Sequence, residues 1–366
     1  MIEYLKNNFQ KLLFPLLFVI LFFTKDNIFN WDKLAYMACV LDLDNVEVGD
    51  IHTEVYTIYE QSKGNPGNAY ESEMQQNPNG FYEQLGFYRI RVLYNAVNWV
   101  LYKIGIPLGT AVSLNSLIFT TLLTIVLFRI AKDKYLEWVF GVIILTLILF
   151  SFFNPILCIT TPDAMFCFFM VLIVLGYLDN WNRNYVFLIM LITILVRTDS
   201  VILSSILLGL DFLKKRNILT LIKLSLLAIT FIFVNNITGY LGWNNLIYHT
   251  FVELQTYPKS YPKKISIDEY WIIFKGGLFN DLLFKEIKIC LIALPLFFIS
   301  IKNFYKYSSI LIVLVMVISS MLLRYILFPI IFDRFNLLYI ILILVCYLYI
   351  CVDNRLKIKN LIGRVF

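Results

Sequence analysis

The stretch YVFLIMLITILVRTDSVILSSILLGLDFL (185–213) is strongly apolar on both sides of a charged centre, Arg197 and Asp199. It is too long for one membrane span and too short for two full ones. Two half-length helices meeting at Arg197–Asp199 account for both the length and the charges. A charge near the middle of a membrane helix costs about 2.5–3.5 kcal/mol on insertion scales, so charges kept there mark a polar pocket. Asp163 in TTPDA (160–164) and Arg324 in LLRYILFP (322–329) interrupt apolar sequence in the same way.

Outward from this stretch, apolar segments recur at 11–24, 108–128, 138–157, 162–178, 218–239, 287–301, 307–331 and 335–351. A further one, 92–106, is broken from its neighbour by Gly105 and Pro107. The chain is 60% hydrophobic and 15% charged, with mean hydropathy +0.75. The expected fold is an all-α polytopic membrane protein, one membrane domain over residues 1–366, with roughly 9–11 transmembrane helices including short broken ones. Leu12–Phe23 has no small-residue cleavage site after it and reads as an uncleaved anchor.

Lysine and arginine set the expected sidedness. The segments 1–11, 129–137, 179–184, 213–217, 302–306 and 353–366 hold 15 of them in short connections, whereas the long loops 25–91 and 240–286 hold 10. The positive-inside rule then puts both termini in the cytoplasm and both long loops outside. The domain plan is a first span (11–24), a large extracytoplasmic loop with juxtamembrane helices (25–107) and core helices (108–239). A second outer loop (240–286), C-terminal helices (287–351) and a basic cytoplasmic tail (352–366) follow. Under this plan Asp163, Arg197–Asp199 and the Arg324–Arg334 region approach the outer leaflet, although only loop charges were used to orient the chain. The net charge of +6 is spread over these loops and gives no reason to expect a nucleic-acid partner.

Loop 25–91 carries eleven acids: Asp26, Asp32, Asp42, Asp44, Glu47, Asp50, Glu54, Glu60, Glu71, Glu73 and Glu83. They are densest in LDLDNVEVGDIHTEVY (41–56), where Glu47 and Asp50 are the candidate general-base pair. With Asp163 they could also hold a divalent cation. Arg89 and Arg91 precede an aromatic helix; they suit phosphate oxygens or lipid headgroups alike. Arg324 lies deepest in apolar sequence and is the leading candidate to meet an anionic ligand, with Arg334 nearer the interface. His249, in the second outer loop, could help line a site. Six cysteines without a CxxC or Cys/His cluster support neither zinc nor a disulfide framework.

The order of these features resembles the GT-C class of membrane glycosyltransferases, which use polyprenyl-phosphate-linked sugars. A first span is followed by an outer loop with a catalytic acid and a nearby aromatic, matched by Asp50 and Tyr56 in VGDIHTEVY (48–56). An arginine stretch entering the next helix is matched by YRIRVLY (88–94). A Pro-Asp helix start is matched by TTPDAMF (160–166), a short-helix arginine by VRTDSVIL (196–203), and a late Arg-Tyr…Pro by RYILFP (324–329). The resemblance implies inverting transfer from a polyprenyl-phosphate sugar to a glycan, lipid or protein acceptor at the outer face of a bacterial inner or plasma membrane. Asp50 would be the base, and Arg324, assisted by Arg197 or Arg91, would stabilise the leaving phosphate. Two other readings stay open: a polysaccharide polymerase or ligase acting on undecaprenyl-linked glycans, which would not need Asp50, and a lipid-linked glycan transporter. The transporter reading calls for paired broken repeats, and only 185–213 has that character.

Overall fold

A computed structural model describes residues 30–63, 69–130, 160–278, 287–329 and 333–353, and every regular element among them is helical. The expected spans 11–24 and 138–157, the tail beyond residue 353 and the side chain of Arg334 lie outside the described residues. In chain order the helices begin with α1 (Trp31–Leu43), α2 (Val48–Lys63), α3 (Ala69–Gln76), α4 (Pro78–Gln84), a 3-10 turn (Leu85–Phe87), α5 (Val92–Lys103) and α6 (Leu108–Ile130). They continue with α7 (Asp163–Leu178), α8 (Arg183–Val196), α9 (Ser200–Lys215), α10 (Ile218–Ile237), α11 (Trp243–Phe251) and α12 (Ile267–Gly277). The last three are α13 (Ile287–Lys302), α14 (Phe304–Leu327) and α15 (Asp333–Asp353).

Among the described residues four helices are long and apolar enough to cross a membrane: α6, α10, α14 and, within α15, Asn336–Asp353. α7 and α8 are as apolar but shorter. At 1.5 Å per residue, a helix of about 20 residues matches a hydrocarbon core of about 30 Å. α10 leaves Ile218, Ile229, Ile232, Phe233 and Ile237 exposed on its surface. Such a helix is stable only where its solvent is itself apolar, as lipid is.

The first loop is less peripheral than its polarity suggests. The Asn30 side chain caps α1 by accepting from the Lys33 amide at 2.9 Å, and Asp32 sits in the first turn, where the helix dipole favours an acid. Lys33 through Leu41 are all buried, and α1 packs against α2, α5 and α6. A helix apolar on every side belongs in a core. α5 joins the same core through a buried Asn pair, Asn115 Nδ2 donating to Asn98 Oδ1 at 2.6 Å. It ends at Gly105, whose φ of +94° only glycine adopts without strain, two residues before Pro107.

Two antiparallel pairs bring distant sequence to one end of the bundle. α7 and α8 form a hairpin, closed by Asn180 at φ +55° and by the Asn182 side chain capping α8. The helices approach so closely that a Cβ on Gly176 would lie 2.6 Å from Val186 Cγ2. A hairpin of two short helices places the start of the first beside the end of the second, so Asp163 meets Arg197. The helix break anticipated at Arg197–Asp199 is present, between the last residue of α8 and the first of α9. α9 then packs along α14, which brings the last turn of α14, with Arg324, to the same end.

Candidate functional site

Asp163 is 5% exposed and accepts from Thr161 Oγ1 at 2.7 Å through its Oδ2. Its Oδ1 accepts from Arg197 Nη1. The other edge of the same guanidinium holds Asp199, with Nε to Oδ1 at 3.0 Å and Nη2 to Oδ2 at 2.6 Å. One arginine therefore clamps two carboxylates, using the fork geometry that only a guanidinium offers. The Phe166 ring lies 4.7 Å from its Cζ. Arg324 is 8% exposed, and its Cζ is 5.9 Å from the Tyr339 ring.

Asp163, Arg197, Asp199 and Arg324 line a cavity of about 430 Å³, within the usual range for small-molecule sites. A smaller recess beneath it is walled by Cys167, Ser320, Arg324 and Tyr339 together with the Arg197 cluster. Of the residues the sequence marked for ligand binding, Arg91, Asp163, Arg197, Asp199, Arg324 and His249 line the cavity together. They come from α7, α11, α14, the α8–α9 junction and the turn before α5.

Arg91 donates to the Phe87 carbonyl and stands 5.9 Å from the Tyr88 ring. Among the described residues no carboxylate is within ion-pairing distance of it. Arg89, two residues earlier, is not in the cavity. Its Nε and Nη2 bind Asp42 at 2.7 and 3.0 Å, and Tyr82 Oη donates to the same carboxylate at 2.7 Å. The phosphate role expected for Arg89 is not supported by this position: its fork is filled by Asp42.

Glu47 and Asp50 also lie away from the cavity, exposed at the start of α2. The periodicity of α2 turns Ile51, Val55 and Tyr59 inward and leaves Asp50 on the outward face, while Glu47 is exposed just before the helix begins. Glu47, Asp50 and Asp163 form no common cation site, and no group of three or more His, Cys, Asp or Glu is gathered for a metal among the described residues. Asp44 is held below the usual carboxylate range, first by the Lys103 ammonium and then by the Trp99 indole N–H. His52 bonds the Met74 carbonyl at 3.0 Å in the core, a structural role.

Among the described residues of the first loop, the carboxylate that lines the cavity is Asp32. Tyr88 Oη donates to its Oδ1 at 3.1 Å. No protein-family model, curated protein or solved structure matches this chain. The site is therefore read from its own residues, and three arginines and three aspartates (Asp32, Asp163, Asp199) face one space.

His249 stands at the other end of the cavity. Its Nδ1 accepts from the Gln255 amide at 2.9 Å, and its ring is 5.2 Å from Phe87. An acceptor Nδ1 places the proton of the neutral ring on Nε2. Burial pushes its pKa down to about 4, so it is uncharged at neutral pH. Between about pH 6.5 and 4 the unfolded chain then binds a proton that the folded chain does not, and stability falls as pH falls. The expected loss is on the order of 3 kcal/mol at pH 4. Thermal unfolding in nanodiscs at pH 7 and pH 5 should show a larger drop for wild type than for His249→Phe; equal drops would contradict the assignment.

Proposed function

We propose that this chain is a multi-pass membrane glycosyltransferase with a GT-C-like arrangement, moving a sugar from a polyprenyl-phosphate-type lipid to an acceptor hydroxyl. The observation that carries this reading is the shared cavity of Asp32, Arg91, Asp163, Arg197, Asp199 and Arg324. In the sidedness read from lysine and arginine, it opens at the extracytoplasmic face of a bacterial inner or plasma membrane, with both termini cytoplasmic.

The chemistry assigns a part to each group. Asp32 takes the proton of the acceptor hydroxyl as that oxygen attacks the anomeric carbon. The bond from that carbon to the phosphate oxygen breaks, and its electron pair leaves with the phosphate. Arg324 and Arg91 offset the charge that develops there. Arg197 holds Asp163 and Asp199 fixed and orients the floor of the site. A single displacement of this kind inverts the anomeric centre. The base role moves from Asp50 to Asp32 because a base must reach the reacting hydroxyl, and Asp32 is the first-loop acid that lines the cavity among the described residues.

Release of polyprenyl phosphate tests the reading, using purified protein in nanodiscs with lipid-linked glycans and acceptors from the source cell. No release under those conditions would sink it. Within the same assay Arg91→Gln is expected to raise KM for the lipid donor roughly 10–100-fold, the weight of a charge-assisted hydrogen bond. Its unfolding temperature should stay near wild type, because the carboxylates of the site are held by Arg197. An unchanged KM would remove Arg91 from the donor site.

A further inference from the structure

The cavity has two chemically different ends. At one, Arg197, Asp163, Asp199 and Arg324 surround the inner recess. At the other the walls include Trp31 and Phe87, with Gln84 and His249; the Tyr70 ring lies 5.5 Å from Trp31 and 6.0 Å from His249. Gln84 is 1% exposed, and its Nε2 donates to the Gln255 and Thr256 carbonyls at 2.6 and 3.2 Å. The Gln255 amide in turn fixes Nδ1 of His249. The segment after α11 is thus tied to α4 and to the His249 ring together, which holds the imidazole in one orientation and one tautomer. Asp32 directly follows Trp31 in the first turn of α1, so the proposed base borders this end.

We propose that the Trp31–Phe87–His249 end is the acceptor subsite, that it takes an uncharged carbohydrate, and that His249 Nε2–H is a specificity-determining donor to one of its oxygens. The inference rests on the transferase reading for the word acceptor, but the binding it asserts can be measured without turnover. Aromatic faces cover the apolar C–H surfaces of a sugar ring, and a neutral fixed donor selects a hydroxyl or ring oxygen. Arg91, bonded to the Phe87 carbonyl at the border of this end, is given to the donor phosphate in the transferase reading, which leaves the aromatic faces and the neutral His249 ring for the acceptor.

The test is direct binding by calorimetry to the full-length protein in nanodiscs, with soluble probes and no lipid donor. The probes are neutral oligosaccharides ending in glucose, galactose, mannose or N-acetylglucosamine, together with trigalacturonic acid and a Gly-Ser-Gly peptide. At least one neutral sugar is expected to bind, with affinity unchanged between low and high salt. His249→Phe keeps the ring volume and removes the donor, and should weaken that binding at least tenfold. His249→Gln keeps an N–H and should weaken it less. The proposal is overturned if no neutral sugar binds, if only the acidic trisaccharide or the peptide binds, or if His249→Phe binds as well as wild type. The salt comparison uses wild type alone, so it stands even where a variant fails to fold. Polyprenyl phosphate release is scored separately. Sugar binding without release would leave this subsite standing and sink the transferase, whereas release without sugar binding would do the reverse.

Discussion

Asp32→Asn should reduce sugar transfer by about 10²–10⁴-fold, the usual contribution of a positioned general base. An amide oxygen can still accept the Tyr88 hydroxyl that now bonds Oδ1 at 3.1 Å, and the unfolding temperature separates a loss of chemistry from a loss of fold. The loss should fall on kcat more than on donor KM, since Asp32 is assigned to the attacking hydroxyl and not to the phosphate. Asp50→Asn is the paired control. Asp50 is exposed on α2, away from the cavity, and its loss should leave transfer within about twofold of wild type, since surface substitutions of this kind rarely matter. Full activity in Asp32→Asn would reject the base assignment. A dead Asp50→Asn with an active Asp32→Asn would return the role to the acid that sequence favoured. Both results come from one polyprenyl phosphate release assay with unfolding temperatures alongside.

The contrast between these acids shows what a sequence of this type discloses. Charges inside apolar sequence are conspicuous, because lipid penalises them and few reasons keep them there. Asp163, Arg197, Asp199 and Arg324 were visible for that reason, and all four line the cavity. The broken helix at 185–213 was visible too, since its length fits neither one span nor two. The first loop offers no such contrast. Among eleven acids, Asp32 looks like an ordinary first-turn residue favoured by the helix dipole. What sets it apart is tertiary: α1 is buried along Lys33–Leu41 and delivers its N-terminus to the cavity. The one legible hint was the apolar run LAYMACVL (34–41) directly after it, too long for a solvated loop. Arg89 and Arg91 were indistinguishable for a related reason. A turn sends one to Asp42 and the other to the cavity, and only packing decides which.

Arg197→Leu should be the most destabilising single substitution in the site. Arg197 satisfies both Asp163 and Asp199, and removing it strands the buried Asp163 carboxylate and leaves the partly exposed Asp199 without its partner. Breaking a buried pair by deleting one partner costs about 3–5 kcal/mol, because the remaining charge keeps its desolvation penalty and loses its compensation. Thr161 still donates to Asp163, and water reaches the 35% exposed Asp199 side chain, so the loss lies toward the lower end of that range. Arg197→Lys should fall between leucine and wild type. An ammonium keeps the charge but cannot present two edges to two carboxylates at once. The triple variant Arg197→Leu, Asp163→Asn, Asp199→Asn is the decisive comparison, because it removes the stranded charges along with their partner. If the cost is electrostatic, the triple variant unfolds at a higher temperature than Arg197→Leu alone, although it lacks three native side chains. If the triple variant is the less stable of the two, the cluster contributes through packing against Phe166 and its neighbours, not through charge. Transfer should stay low in both. A neutral floor recovers stability without restoring the fixed charges that border the leaving phosphate, so recovered stability with absent activity is the signature that ties this cluster to the site's chemistry.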